Sequence, residues 1–301
     1  MEVKPFLKWA GGKGQLLQQF ETLYPHDLSK IKVYVEPFIG GGAVFFDFIK
    51  KYHFEKIYLN DINEVLILTY KVIRDYPDEL ITILNQLETE YLALSPEERE
   101  IEFYQIRTEY NIEKHEIDYN DYSARWIHHA AHNLFLNKTC FNGLYRLNRK
   151  GEFNVPFGKY GNPTICNEEN LRDVSDALKN VTLLCGDFED LTQYIDENTF
   201  VYMDPPYRPL NTTSSFTSYH KDDFNDESQI RLSKWFAKLD KEKRALLMLS
   251  NSNPKNTNPE DDFFEKLYAD YNIITVSASR HINSKASGRG AITELLIRNY
   301  D

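Results

Sequence analysis

The chain has 301 residues, 42% of them hydrophobic, which is enough to bury a full enzyme core carrying a sizeable insertion, or two domains. No apolar run reaches the length of a membrane span, and the first residues lead into Trp9-Ala10-Gly11-Gly12 without a secretory hydrophobic segment, so a soluble, cytoplasmic protein is expected. The cysteines, Cys140, Cys166 and Cys185, indicate neither a disulfide framework nor a zinc site and read as buried or incidental thiols, while a net charge of −11 argues against binding a phosphate backbone.

In chain order, Trp9-Ala10-Gly11-Gly12-Lys13-Gly14 holds a Gly-Lys pair but no following Ser or Thr, so it is not a Walker A loop. Val33-Tyr34-Val35 predicts a first strand that runs into Glu36-Pro37-Phe38-Ile39-Gly40-Gly41-Gly42 and then a helical pattern over Ala43 to Tyr52. Glycines there permit a tight turn and close approach of a ligand to the backbone. The spacing is not the GxGxxG fingerprint, which argues against a dinucleotide. After a second strand at Ile57-Tyr58-Leu59, Asp61 stands where an acid can accept hydrogen bonds from both ribose hydroxyls, and equally where it can cap a helix over 63–76. Glu36, Phe38, Gly40, Gly42 and Asp61 are therefore candidate contacts for an adenosine-type cofactor without a phosphate.

From about Asn63 to Cys166 the strand and helix alternation breaks. Leu80, Ile83, Leu84, Leu87 and Tyr91 share one helical face and Tyr122 to Leu136 reads as helix, so the block is expected to be a helical insertion. His128 and His132 have metal-pair spacing, but His129 stands where a zinc hydrolase has Glu and no third ligand is evident; these are expected to be solvated helix histidines, with no metal. Residues 64–135 carry 15 acidic and 6 basic side chains, whereas 137–160 carry five basic ones (Lys138, Arg146, Arg149, Lys150, Lys159) against Glu152 alone. A local positive patch is thus masked by the overall charge. Arg280, Lys285, Arg289 and Arg298, opposed by Glu294, form a second basic stretch, and a solvated surface explains either stretch alone equally well. Turn signals at Asn142-Gly143 and over 147–151 place Leu144 to Leu147 on a hairpin-like projection. Phe141 or Leu144 can fill the gap left by a flipped base and Arg146 can pair with a guanine edge; an ordinary charged turn stands level with that reading.

Strands are next predicted at Val181 to Leu184, Phe200 to Met203, Ala245 to Leu249, Ile273 to Val276 and Leu295-Leu296-Ile297, giving an α/β protein with a mainly parallel sheet. Glu36, Asp61, Asp187, Asp204 and Asn251 each follow a strand and are expected to converge on one crevice at the carboxyl ends. Asp204-Pro205-Pro206-Tyr207 is the strongest single signal. Two prolines stiffen the loop and leave its carbonyls free to accept. An exocyclic adenine amine has a delocalised lone pair, and if Asp204 and the Pro205 carbonyl each accept one of its hydrogens, the nitrogen is steered toward a pyramidal geometry. Asp204 also lies where positive charge develops during transfer, and Tyr207 offers a face to an extruded base.

With these motifs the chain resembles the Dam-type (D12 class, alpha group) DNA adenine N6-methyltransferases. The likeness runs nearly end to end, adding Phe6-Leu7-Lys8, Asn60-Asp61, Phe141-Asn142-Gly143-Leu144-Tyr145-Arg146, Gly151 to Gly158, Gly186-Asp187-Phe188, Phe216-Thr217-Ser218-Tyr219 and Leu249-Ser250-Asn251-Ser252 to the segments above. It implies a Rossmann-like sheet that uses S-adenosylmethionine, with 1–62 and 167–301 as the catalytic and cofactor-binding domain and 63–166 as an inserted helical target-recognition domain. It implies that Trp9, Lys13, Asp61 and Asp204 contact the cofactor, with Asp187 and Phe188 near its adenine, and that Lys8, Phe141, Asn142, Leu144, Arg146 and Tyr160 meet duplex DNA. Lys150 is a candidate phosphate contact. Within the family the sequence is most similar to enzymes that methylate GATC, and a cognate restriction endonuclease acting independently is compatible with it. The alternatives are an N6-adenine methyltransferase of RNA, a methylase of protein amides, or a non-catalytic DNA-binding relative.

Overall fold

The computed structural model describes residues 2–208, 224–279 and 291–301. Phe216-Thr217-Ser218-Tyr219 and three members of the second basic stretch, Arg280, Lys285 and Arg289, lie outside the described residues. The described strands are β1 (Val33–Glu36), β2 (Lys56–Asp61), β3 (Val181–Cys185), β4 (Thr199–Met203), β5 (Leu246–Ser252), β6 (Asn272–Ser279) and β7 (Ala291–Arg298). They form one sheet in the order β3-β2-β1-β4-β5-β7-β6. The first five are parallel; β7 runs antiparallel to both β5 and β6. Each predicted strand is present, in a mixed α/β fold of the Rossmann-like methyltransferase kind.

Why these segments are strands follows from burial on both faces. Parallel sheets covered on two sides read as continuous apolar runs. Every residue of β1 and β4 is buried. Along them and along β5 the side chains alternate between two cores: Tyr34, Phe200, Tyr202 and Met248 enter one, and Val33, Val35, Val201, Met203, Leu247 and Leu249 the other. The first core receives α1 (Leu17–Phe20), α2 (Ala43–Phe48), α3 (Glu64–Asp75), α4 (Pro77–Ala93), α5 (Pro96–Glu116), α6 (Arg125–Thr139) and α7 (Glu168–Leu178); the second receives α8 (Asp226–Lys238) and α9 (Phe263–Leu267).

Between β2 and β3, α3 lies against the sheet beside α7, and α4, α5 and α6 stack beyond it. Asn63 caps α3 by accepting from the Leu66 N–H, and Ser95 with Glu98 forms a reciprocal capping box on α5. After α6 the chain makes a hairpin, pinned by Cys140 opposite Phe157 and Leu147 opposite Phe153, with its tip over 148–151. The hairpin backbone has few ladder partners of its own, and buried peptide groups need them. Side chains of α5 supply them. The Asn111 carboxamide bonds both the N–H and C=O of Phe153, Arg107 donates to the Val155 carbonyl and Lys114 to that of Gly151.

Two expectations are corrected. His129 is fully buried and stacked on Tyr110 at 4.5 Å, and its Nδ1 shares the Glu113 carboxylate with His132 Nδ1 at 3.2 and 3.1 Å. These two are core and half-buried groups that join α6 to α5 through one carboxylate, while His129 Nε2 is buried without a hydrogen-bond partner among the described residues. Burial alone would raise Glu113, but the two imidazoles hold its carboxyl down at about 2. Arg298 is likewise no surface charge: it is 7% exposed and donates to the Leu23 carbonyl. Of the thiols, Cys140 and Cys166 are buried and Cys185 is exposed.

Candidate active site

The sheet order reverses direction between β1 and β4, and at such a switch point an open α/β sheet leaves a crevice beyond its carboxyl ends. The loops meeting there are tied together by short polar links. Asn60, 2% exposed, donates to the carbonyls of Pro37 and Gly186, joining the loops after β1 and β3 through the end of β2. Asp61 accepts from the Gly40 N–H through one oxygen and from the Asn63 N–H through the other, both at 3.0 Å. Burial pushes its carboxyl up to about 6 against the lowering effect of those N–H groups. Each carboxylate oxygen has two acceptor positions, so Asp61 fixes the glycine loop and retains capacity for further donors.

Gly40 and Gly42 have φ of +47° and +72°, a region that disfavours a side chain. A Cβ on Gly40 would lie 2.9 Å from Trp9 Cδ1, so the indole of Trp9 takes the space that the missing side chain leaves. Trp9 in turn stacks on Tyr145 of the hairpin at 5.4 Å. Phe38 packs against Phe188 at 5.5 Å, and Arg231 of α8 pairs with Asp187 at 2.5 Å while covering the Phe188 ring. Ile62, next in the chain to Asp61, is 53% exposed.

On the other side of the switch point stands the Asp-Pro-Pro-Tyr loop. Lys13, 3% exposed, places its ammonium 2.7 Å from Asp204 Oδ2, 2.7 Å from the Gly11 carbonyl and 4.6 Å from the centre of the Tyr207 ring. The Tyr207 hydroxyl donates to Glu294 at 2.6 Å. Asp204 Oδ1 is buried and has no hydrogen-bond partner among the described residues. Burial lifts the Asp204 carboxyl to about 6, with Lys13 opposing. Gln229 donates to the Pro206 carbonyl and accepts from the Asn251 amide, and both side chains are fully buried. With Pro206 engaged in this way, the Pro205 carbonyl accepts no hydrogen bond from the described residues. Two acceptors, Asp204 Oδ1 and Pro205 O, thus remain for an outside donor. Replacing Gln229 by Leu should strand the buried Asn251 amide at about 1–3 kcal/mol; a melting temperature equal to wild type in thermal unfolding would contradict the brace.

Convergence on the crevice therefore holds for Asp61, Asp187 and Asp204 but is corrected for two residues. Glu36 is 2% exposed beneath the loops, bonded by the Tyr34 hydroxyl, and burial pushes its carboxyl well above the usual range. Asn251 lies inside β5 and acts on the loop through Gln229. Sequence reading missed Gln229, Tyr70, Arg231 and the role of Glu294. Only Glu294 left a signal, an acid in the apolar run of β7: pairing with Ser252 in the antiparallel register carries it to the carboxyl end of β5.

The residues expected to meet DNA gather on the hairpin and its base. Lys8 lies over Tyr160, whose hydroxyl accepts from the Asn142 N–H; Phe141 is half-exposed and Leu144 half-buried beside them. Arg146 is not free to swing: its Nε donates to the Asn154 side-chain oxygen and its Nη2 to the Asn154 carbonyl across the hairpin. Lys150 sits apart, exposed at the tip.

A doubly wound sheet whose switch-point crevice brings a glycine loop and an Asp-Pro-Pro-Tyr loop together has the architecture of a Rossmann-like methyltransferase. The chain belongs to the D12 class N6 adenine-specific DNA methyltransferases, whose family model matches residues 9–282. It is an adenine-specific DNA methyltransferase. It is 53% identical over 303 residues to the type II methyltransferase M.MjaIII of Methanocaldococcus jannaschii, with 100% of both chains covered. It is 37% identical to the type II methyltransferase M1.LlaDCHI of Lactococcus lactis subsp. cremoris over 100% of this chain and 96% of that one. It is 33% identical to the DNA adenine methylase of Escherichia coli K12 over 97% of this chain and 94% of that one. Among the described residues no helix is long and apolar enough to cross a membrane.

Proposed function

We propose that the enzyme methylates adenine N6 in duplex DNA within GATC, with S-adenosylmethionine as donor. The observation that carries the chemistry is the buried, unpartnered Asp204 Oδ1 next to the Pro205 carbonyl, which takes no hydrogen bond from the described residues. The two accept the two N6 hydrogens, which withdraws the nitrogen lone pair from the ring and aims it out of the base plane. A carboxylate so placed stabilises the positive charge that builds on N6, and such preorganised groups are worth most in a site closed to water.

The crevice fits the donor. Gly40 and Gly42, at φ +47° and +72°, bend the loop after β1 beside Asp61, whose carboxylate keeps acceptor capacity for two ribose hydroxyls. Trp9, Lys13, Phe38, Asp61, Asp187, Phe188 and Asp204 would hold it. When bound, the cofactor supplies an electrophilic methyl group on a sulfonium. The protein's own part is to orient the amine and exclude water. One face of Tyr207 is covered by Lys13, so an extruded base would stack on the other.

Catalysis and cofactor binding fall to 1–62 and 167–301 and recognition to 63–166, with α3 as the wall between them. Phe141 is the apolar wedge and Arg146, aimed by Asn154, the reader of a guanine edge. Similarity to the Dam-type enzymes supports GATC. The test is to treat plasmid DNA with the enzyme and digest it with nucleases that cut only methylated or only unmethylated GATC. Protection is expected; unprotected GATC would sink the site assignment. Arg146→Ala should lose about 1–3 kcal/mol of discrimination at one base pair, measured as transfer to duplexes with single-base changes. A uniform loss at every duplex would make Arg146 a phosphate contact instead.

A further inference from the structure

The sequence points to Lys13 as a cofactor contact, yet its ammonium is already committed to three groups of the protein. It is 3% exposed and held by Asp204 Oδ2, the Gly11 carbonyl and the Tyr207 ring. Gly11, with φ +78°, bends the chain so that the side chain folds back over its own loop onto Asp204. We propose that Lys13 is a positioning residue for methyl transfer: it occupies one oxygen of Asp204, keeps that carboxyl ionised, and leaves Oδ1 as the single oxygen offered to the target amine. This rests on the role given to Asp204 above.

The surroundings of Asp204 show why a cation is needed. Glu294 faces it from β7, Glu36 from β1, Tyr202 from β4 and Tyr207 from its own loop; none of these is cationic. Arg208, four residues on, is spent on Asp226 and Asp261. Burial first and then the Glu294 carboxyl favour the neutral acid; Lys13, the one cation among the described residues beside it, and the Tyr207 hydroxyl oppose them. A protonated Asp204 would present a donor where the amine needs an acceptor. Without Lys13 the carboxyl would also be free to rotate, so that neither oxygen stays aimed.

The experiment compares the wild type with Lys13→Met, Lys13→Gln and Lys13→Arg, first without cofactor. The Asp204 carboxyl is titrated by infrared difference spectroscopy, with Asp204→Asn identifying its band. Loss of an opposite charge at this distance moves a carboxyl by about one to three pH units. Met and Gln variants should therefore titrate at higher pH than wild type, and Arg close to it. Single-turnover rates at saturating cofactor should show the acid limb moving by the same amount, about tenfold less transfer per pH unit below it. Unchanged titration in both Met and Gln variants overturns the proposal. So does full recovery of their rates at every pH on raising the cofactor concentration, which would leave Lys13 a cofactor ligand and nothing more. Gln keeps a hydrogen-bond donor without the charge, so a folding defect confined to Met leaves the answer readable in Gln. Wild-type transfer by Asp204→Asn is a separate result: it would overturn the catalytic reading of Asp204 itself, and this role of Lys13 with it.

Discussion

Asp204→Asn is expected to lower methyl transfer by a factor of about 10²–10³ or more, the usual cost of losing one preorganised group where charge develops. Cofactor and DNA binding should largely persist, because the lost charge matters most in the transition state. The same substitution has a signature in stability. Burial raises the Asp204 carboxyl in the folded protein from 3.8 to about 6. A folded value above the unfolded one means that the acid form stabilises the fold below pH 4, and that this contribution fades as pH rises through 6. The neutral carboxamide escapes that loss. The ion pair with Lys13 exists only where Asp204 is ionised, so its loss is already contained in the folded value of about 6 and is no separate constant cost. The informative quantity is therefore the change with pH: relative to wild type, the variant should gain on the order of 1–2 kcal/mol between pH 4 and pH 7, after discounting for partial exposure. Thermal unfolding of both proteins across that range measures it. A gap that stays constant with pH would show that Asp204 titrates as an ordinary surface acid.

Gly42→Ala should be the most damaging substitution to the architecture of the site. At φ +72° a side chain costs about 1–2 kcal/mol. The new Cβ would also stand 2.7 Å from the Tyr70 hydroxyl and 2.9 Å from Phe46 Cε2, both rings in the core. Overpacking of that kind adds about 1–3 kcal/mol, for a loss of roughly 2–5 kcal/mol in all. The damage should reach the ligand, because the Tyr70 hydroxyl donates to the Gly40 carbonyl and any retreat of Tyr70 pulls the glycine loop with it. Gly151→Ala is the control: its φ is +78°, yet nothing lies within 4 Å of the added atom, so only the backbone cost remains. Denaturant unfolding of the two variants, with calorimetry of S-adenosylmethionine binding, separates the terms. Equal stability losses would mean that Tyr70 and Phe46 yield freely.

Much of this protein was legible in its sequence because the informative features are local. Strands buried on both faces read as apolar runs, as at Val33-Tyr34-Val35 and Phe200 to Met203; the glycines after the first admit a positive-φ turn and the prolines of Asp-Pro-Pro-Tyr restrict their own backbone. What the tertiary structure alone decided is which partner each polar group meets. Asp204 reads as a candidate acceptor, but Lys13 takes one of its oxygens and nothing described takes the other. His129 reads as a solvated histidine until Tyr110 and Glu113, 19 and 16 residues earlier, close over it. Gln229 is silent on a helix until it meets Pro206 and Asn251, and Glu294 reaches Tyr207 only because β7 runs antiparallel to β5. Backbone states and apolar faces are set by neighbours in the chain, so they can be read from it. The partners of buried donors and acceptors come from residues far apart in sequence, brought together by burial of the two cores, and no local pattern specifies them.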